Sequence, residues 1–103
     1  MNFIDIEGAS GAQYRFRLLP ESTPHPPMPG NYAFVRRDRN RLTVMLVGET
    51  IDLSKVRADW PTAARQGATH IFTRLNVPRA VRTAEHEDLA ARHATSPIMY
   101  AAV

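Results

Sequence analysis

Apolar and polar residues alternate over the first part of the chain. The run NFIDIE occupies residues 2–7, and in residues 12–19 apolar positions alternate with glutamine and arginine. Because successive side chains of a strand point to opposite faces, this period of two predicts a strand with one arginine-rich face. The turn-forming sequence GASG lies between the two segments, so residues 2–7 and 12–19 are predicted to pair as a hairpin.

The segment PESTPHPPMP, residues 20–29, interrupts this pattern with five prolines. Proline fixes the backbone φ angle and lacks an amide hydrogen, so this segment cannot form a helix or an inner strand. We therefore predict an extended connector on the surface. A proline-rich ligand for another domain is the alternative interpretation.

A second hairpin is predicted from residues 32–36 and 42–47, which are rich in strand-forming residues. Its tip is RRDRNR, residues 36–41, where aspartate and asparagine favour a turn. Gly48 is predicted to end the second strand, because glycine permits a tight turn.

Two short helices are predicted after this hairpin. Thr50 or Asp52 can cap the first, since their side-chain oxygens accept hydrogen bonds from free backbone amides. Pro61 suits the first turn of the second helix, and Gly67 suits its C-terminal end.

The remaining residues predict a strand and a long helix. Residues 69–75 carry bulky side chains on both faces, which is typical of a strand covered on both sides. Residues 79–93 are rich in alanine, leucine, glutamate and arginine and predict a helix. Residues 98–100 are predicted to pack back as a last short strand. The predicted apolar side of the helix comprises Val81, Ala84, Glu85 and Leu89.

These elements predict an α+β fold, in which helices flank a small, mainly antiparallel sheet. The length of 103 residues favours one domain, residues 1–103. Within it we expect an N-terminal hairpin (1–19), a proline-rich connector (20–29) and a core (30–103). The chain has no cysteine and hence no disulfide or thiolate metal site.

Charge and targeting signals limit the possible partners. Thirteen basic residues, twelve of them arginine, against ten acidic ones give a net charge of +3. Arginine binds phosphate, so this balance is compatible with nucleic acid, although it is also an ordinary solubilising charge. The N-terminal residues lack the basic region of a signal peptide, and no apolar run approaches membrane-spanning length. The expectation is a soluble cytoplasmic protein without a membrane partner.

Residues 29–100 resemble the GIY-YIG nuclease family, because four segments occur in the order found in that family. They are GNYAFV, MLVGETIDL, ATHIFTRL and RTAEHEDLAARHATSP. The resemblance implies that a tyrosine from each strand of the core hairpin faces a concave site. It also implies that an arginine from the first helix binds the scissile phosphate and that a glutamate from the later helix holds a divalent metal ion. A late asparagine braces such a site. Metal and arginine together neutralise charge that develops on phosphorus oxygens.

Only part of the family pattern is present. Gly30 and Tyr32 fit the first motif, and Val47 and Gly48 fit the second, but the second tyrosine position holds Leu46. Leucine cannot transfer a proton.

The later positions depart further from the family. The arginine position falls on Val56, between Lys55 and Arg57, and the glutamate position falls on His86, between Glu85 and Glu87. The late asparagine falls near Tyr100. Tyr32 is thus the only chemically competent residue in register, although a shift of one position would restore Arg57 and Glu85.

The favoured hypothesis is a catalytically inactive GIY-YIG-like module without a cofactor or metal, which binds DNA, RNA or a protein partner. Losing several cooperating catalytic groups lowers a rate by orders of magnitude. The predicted nucleic-acid contacts are Arg36, Arg37, Arg39, Arg41, Lys55 and Arg57, together with Arg15 and Arg17.

Two alternatives remain. A divergent Mg²⁺-dependent endonuclease would use Tyr32, Arg57 and Glu85, with Glu85 as the metal ligand. A structural or assembly protein would pair the edge of the N-terminal hairpin with another copy of the chain. If Glu85 has no catalytic role, it is predicted to pair with Arg82 or Arg92 or to extend its carboxylate to solvent.

Overall fold

The computed structural model describes residues 2–93 and has an α+β fold, as predicted. Five strands form one sheet in the order β1-β2-β5-β3-β4, and every pairing is antiparallel. In chain order the elements are β1 (Phe3–Glu7), β2 (Gln13–Leu19), β3 (Gly30–Asp38), β4 (Arg41–Thr50), a 3₁₀ helix (Leu53–Asp59), α1 (Trp60–Arg65), β5 (His70–Leu75) and α2 (Arg79–Ala90).

β1 and β2 pair with each other, and this pair continues the main sheet. Phe3 lies opposite Arg17 in the β1–β2 pair, and Arg17 lies opposite Thr73 in the β2–β5 pair. β1 is therefore an outer strand, and β5 is the middle strand of the five. Residues 20–29 connect β2 to β3 without a helix or strand, as their prolines predict.

The sheet has an apolar core on each face, because side chains alternate along its inner strands. In β3, Tyr32 and Phe34 face the 3₁₀ helix and α1, while Ala33 and Val35 face α2. The α1-side core consists of Leu19, Tyr32, Phe34, Leu46, Leu53, Val56, Ala63, Ala68 and Ile71. The α2-side core consists of Ile6, Phe16, Ala33, Val35, Val47, Phe72 and Leu89.

The prediction that Gly48 ends its strand is wrong, because β4 continues to Thr50. Gly48 is instead directly opposite Tyr32 in the β3–β4 pair. A Cβ atom at Gly48 would lie 2.7 Å from Cε1 of the Tyr32 ring. The glycine therefore provides space for an aromatic ring that crosses to it from β3.

The ends of the short helices agree with their sequence signals. Asp52 is the N-cap of the 3₁₀ helix, and its carboxylate accepts a hydrogen bond of 3.0 Å from the Ser54 amide. Pro61 lies in the first turn of α1. Gly67 follows α1 with a φ angle of +107°, which glycine adopts without strain.

The predicted apolar side of α2 needs correction. Leu89 is buried as expected, but Val81 is 46% exposed and Ala84 is also exposed, whereas Arg82 is only 6% exposed. The helix also ends at Ala90, three residues earlier than predicted. The predicted last strand, residues 98–100, lies outside the described residues.

Asp88 of α2 links the helix to the turn between β1 and β2 and to β2 through hydrogen bonds. Its carboxylate accepts hydrogen bonds of 2.8 Å from the Ser10 amide and 2.7 Å from the hydroxyls of Ser10 and Tyr14. The Ser10 hydroxyl, followed by the Tyr14 hydroxyl, holds the pKa of Asp88 below its usual range.

The hydrogen bonds to Asp88 predict that its carboxylate contributes to the pH dependence of folding stability. A carboxylate with a lowered folded-state pKa stabilises the fold above its unfolded pKa of about 4, and this contribution is lost as the pH falls through the folded-state value. Urea unfolding between about pH 6 and pH 2.5 should therefore show a shallower loss of stability for Asp88→Asn than for the wild type. Equal pH slopes in the two proteins would contradict the assignment.

None of the helices within residues 2–93 has the length and apolar character needed to cross a bilayer.

Candidate functional site

Tyr32 lies inside the α1-side core. It is 9% exposed, and its ring centre lies 5.8 Å from that of Phe34. Its ring covers Gly48 on the neighbouring strand. The side chain thus fills a packing position between β4 and the short helices.

Arg57 links the 3₁₀ helix to the connector through hydrogen bonds. Its Nη2 atom donates hydrogen bonds of 2.7 Å to the Pro20 carbonyl and 2.8 Å to the Thr23 carbonyl. The guanidinium therefore already has two acceptors from the chain itself. Lys55 lies on the same short helix and is exposed.

Glu85 lies on the opposite face of the sheet from Tyr32. It accepts hydrogen bonds of 2.8 Å from Nε of Arg74 and 2.8 Å from Nδ2 of Asn76. The expected pairing with Arg82 or Arg92 is therefore wrong: Arg82 pairs with Glu49, and Arg92 pairs with Glu7. The reason is that β5 places Arg74 alongside α2, closer than any basic residue of the helix itself.

The structure consequently does not bring together the three residues predicted for catalysis. Tyr32 is within one core, Arg57 is at the connector, and Glu85 belongs to a polar cluster under α2. Within residues 2–93, no group of three or more histidine, aspartate or glutamate side chains is placed to hold a metal ion.

Sequence reasoning missed a buried polar network between β3, β5 and α2. Asn31 is fully buried, and its Oδ1 accepts a hydrogen bond of 2.9 Å from Asn76. The Arg82 guanidinium donates to the carbonyls of Asn76 at 3.3 Å and Val77 at 2.9 Å. The available signal was the spacing of Arg82, Glu85 and Leu89, which places all three on one side of a helix.

Four exposed arginines occupy the end of the β3–β4 hairpin. Asp38 and Arg41 form the last pair of this hairpin, so Arg39 and Asn40 make a two-residue turn. Arg39 has a φ angle of +58°, a region in which a residue with a Cβ is strained. We call the following set the arginine tip: Arg36, Arg37, Arg39 and Arg41.

The base of the arginine tip is anchored to the sheet. The Arg37 amide donates a hydrogen bond of 2.8 Å to the hydroxyl of Thr69, whose own amide donates one of 2.9 Å to the Val35 carbonyl. The tip side chains remain exposed above this anchor, together with the single acid Asp38.

No ion pair of the described residues includes an arginine of the tip, Lys55 or Arg57. The four arginines of the tip are close together in the sequence and exposed. Like charges near one another repel and favour the approach of an anion. The ion pairs found in residues 2–93 are Arg15–Asp5, Arg74–Glu85, Arg82–Glu49 and Arg92–Glu7.

The chain matches no protein-family model, no curated protein and no solved structure. The resemblance to GIY-YIG nucleases therefore remains a prediction, and the chemistry of the surface must carry any functional proposal.

Proposed function

We propose that this protein is a non-catalytic nucleic-acid-binding module with a GIY-YIG-like core, and that the arginine tip contacts the phosphate backbone. The GIY-YIG-like part is supported by the order of elements from residue 30 onward. Two hairpin strands are followed by short helices, a strand and a longer helix, and the same segments carry the sequence resemblance.

The observation that carries the binding proposal is the arginine tip itself. Its four guanidinium groups are exposed and form no ion pair within residues 2–93. Arginine donates planar, paired hydrogen bonds that match phosphate oxygens.

We propose no catalysis because each of the three candidate catalytic side chains is packed against, or bonded to, other parts of the fold. Tyr32 packs against a glycine, Arg57 binds two connector carbonyls, and Glu85 binds Arg74 and Asn76. Cutting a phosphodiester requires such groups to converge on one phosphate. Plasmid DNA incubated with the protein and Mg²⁺ or Mn²⁺ is therefore expected to stay intact, and cleavage abolished by Arg57→Ala would favour the nuclease alternative.

The binding test uses fluorescence anisotropy with labelled single- and double-stranded oligonucleotides at about 50 and 200 mM salt. The combined change Arg37→Gln, Arg39→Gln and Arg41→Gln should weaken binding about 10- to 100-fold at the lower salt concentration. It should also reduce the slope of log affinity against log salt by about 2 to 3, since each lost phosphate contact removes about one counterion.

The matched control is Arg79→Gln, which removes an exposed arginine at the opposite end of the sheet. Its effect on affinity should stay below about twofold, because it changes only the overall charge. The proposal is overturned if the wild type fails to bind at low salt, or if one Arg79 change weakens binding as much as the three tip changes do.

Arg39→Gly is expected to separate stability from binding. Glycine adopts the φ angle of +58° without a Cβ clash, so the free energy of unfolding should rise by roughly 0.5 to 1 kcal/mol. Affinity for the oligonucleotide should fall several-fold, since a phosphate contact is lost. Urea unfolding and anisotropy measure the two effects, and unchanged affinity would remove Arg39 from the interface.

A further inference from the structure

The β1–β2 hairpin has a second face that points away from α2. Phe3 and Asp5 of β1, with Arg15 and Arg17 of β2, are exposed on it, whereas Ile6 on the other face belongs to the α2-side core. The connector runs alongside this face. A groove therefore lies between the outer part of the sheet and the proline-rich segment.

The groove consists of two adjoining hollows of about 450 and 480 Å³. Both volumes lie within the range of about 300 to 1,000 Å³ that is usual for ligand sites. The residues that line both hollows, and so join them, are Phe3, Arg17, His25, Pro26 and Thr73.

The charged side chains of the described residues that line the groove are all basic. Arg15, Arg17 and Arg74 line it, and none of the lining residues that belong to residues 2–93 is an aspartate or glutamate. Arg15 is paired with Asp5 on the rim, and Arg74 is paired with Glu85. Arg17 takes part in no ion pair of the described chain, and its guanidinium lies over the Phe3 ring. Its positive charge can therefore be approached by an anionic ligand.

The groove also offers flat and apolar surfaces. Phe3 is 47% exposed, and the guanidinium carbons of Arg17 and Arg15 lie 5.3 and 5.6 Å from its ring centre. Met28 and Leu75, 37% and 58% exposed, extend the apolar area. Aromatic rings and guanidinium planes are the surfaces on which nucleic-acid bases stack.

From this combination we infer that the groove binds single-stranded nucleic acid, with a base stacked at Phe3 and a phosphate at Arg17. In a duplex the base faces are covered by neighbouring bases, so only a single strand presents both groups to the groove. This inference rests on the proposed nucleic-acid-binding function and deepens it by naming the form of the ligand.

The test measures anisotropy and base stacking together. A 12-nucleotide single strand containing 2-aminopurine is titrated with the full chain, beside a duplex of the same sequence. Wild-type protein should prefer the single strand at least tenfold and should quench the 2-aminopurine fluorescence, because stacking on an aromatic side chain contributes at this level.

Matched variants separate stacking from charge and from folding. Phe3→Leu keeps apolar area but removes the ring, so it should weaken single-strand binding about tenfold and abolish the quenching of 2-aminopurine. Phe3→Trp should retain the affinity and the quenching. Arg17→Gln should weaken binding to a similar extent. Asp5→Asn removes the carboxylate that pairs with Arg15 and should tighten binding. Urea unfolding checks that each variant remains folded.

The outcomes distinguish this inference from the proposed function. If Phe3→Leu and Arg17→Gln bind like the wild type while the arginine-tip variant loses affinity, the groove inference is overturned and the proposed function stands. Preference for the duplex, or equal binding of a glutamate 12-mer, also overturns it. Failure of the wild type to bind any nucleic acid overturns both.

Discussion

Gly48→Ala is expected to lower the free energy of unfolding by about 3 kcal/mol, although it adds a single methyl group. The new Cβ would lie 2.7 Å from Cε1 of the Tyr32 ring and nearer still to the end of that ring. The ring cannot move aside easily, because it is buried in the α1-side core beside Phe34. Either the ring or strand β4 must therefore shift.

The clash is tested with a double-mutant cycle, because the two residues are opposite each other in the sheet. In a Tyr32→Leu background the outer ring atoms are absent, so adding Gly48→Ala should cost less than about 1 kcal/mol. Urea unfolding of the four proteins gives the coupling energy. An equal cost in both backgrounds would attribute the effect to the backbone of β4 instead of the tyrosine.

Arg82→Ala is expected to lower the free energy of unfolding by about 3 kcal/mol, whereas Val81→Ala should cost less than about 0.5 kcal/mol. Arg82 is 6% exposed, and its guanidinium donates to two carbonyls and lies 3.7 Å from Glu49. Removing it takes this donor away from the buried Asn76 carbonyl, from the part-buried Val77 carbonyl and from the Glu49 carboxylate. Val81, in contrast, is 46% exposed and loses little contact on truncation.

The control for this pair is Arg79→Ala, an exposed arginine on the same helix. It should be nearly neutral, because it removes the same charge without disturbing a buried acceptor. Urea unfolding at neutral pH compares the three variants. A larger loss of unfolding free energy for Val81→Ala than for Arg82→Ala would support the predicted apolar side of α2, which includes Val81. It would contradict the observed burial of Arg82.

The candidate sites differ in how far the sequence indicates them. The arginine tip is contiguous, so its charge and exposure follow directly from RRDRNR in a predicted turn. The arginine-rich face of β2 was likewise visible in its alternation. The other walls of the groove were not, because Pro26 and Leu75 reach it from distant parts of the chain.

The sequence by itself determined the local structure: the alternation of residues 13–18, the proline connector, a cap at Thr50 or Asp52 and the Pro61 and Gly67 ends of α1. These signals act within a few residues and are the same in any tertiary context. Only the tertiary structure decided that β4 continues through Gly48, that Arg82 instead of Val81 is buried, and that Tyr32 and Glu85 lie on opposite faces. Each of these depends on a partner far along the chain, whose position no local pattern contains.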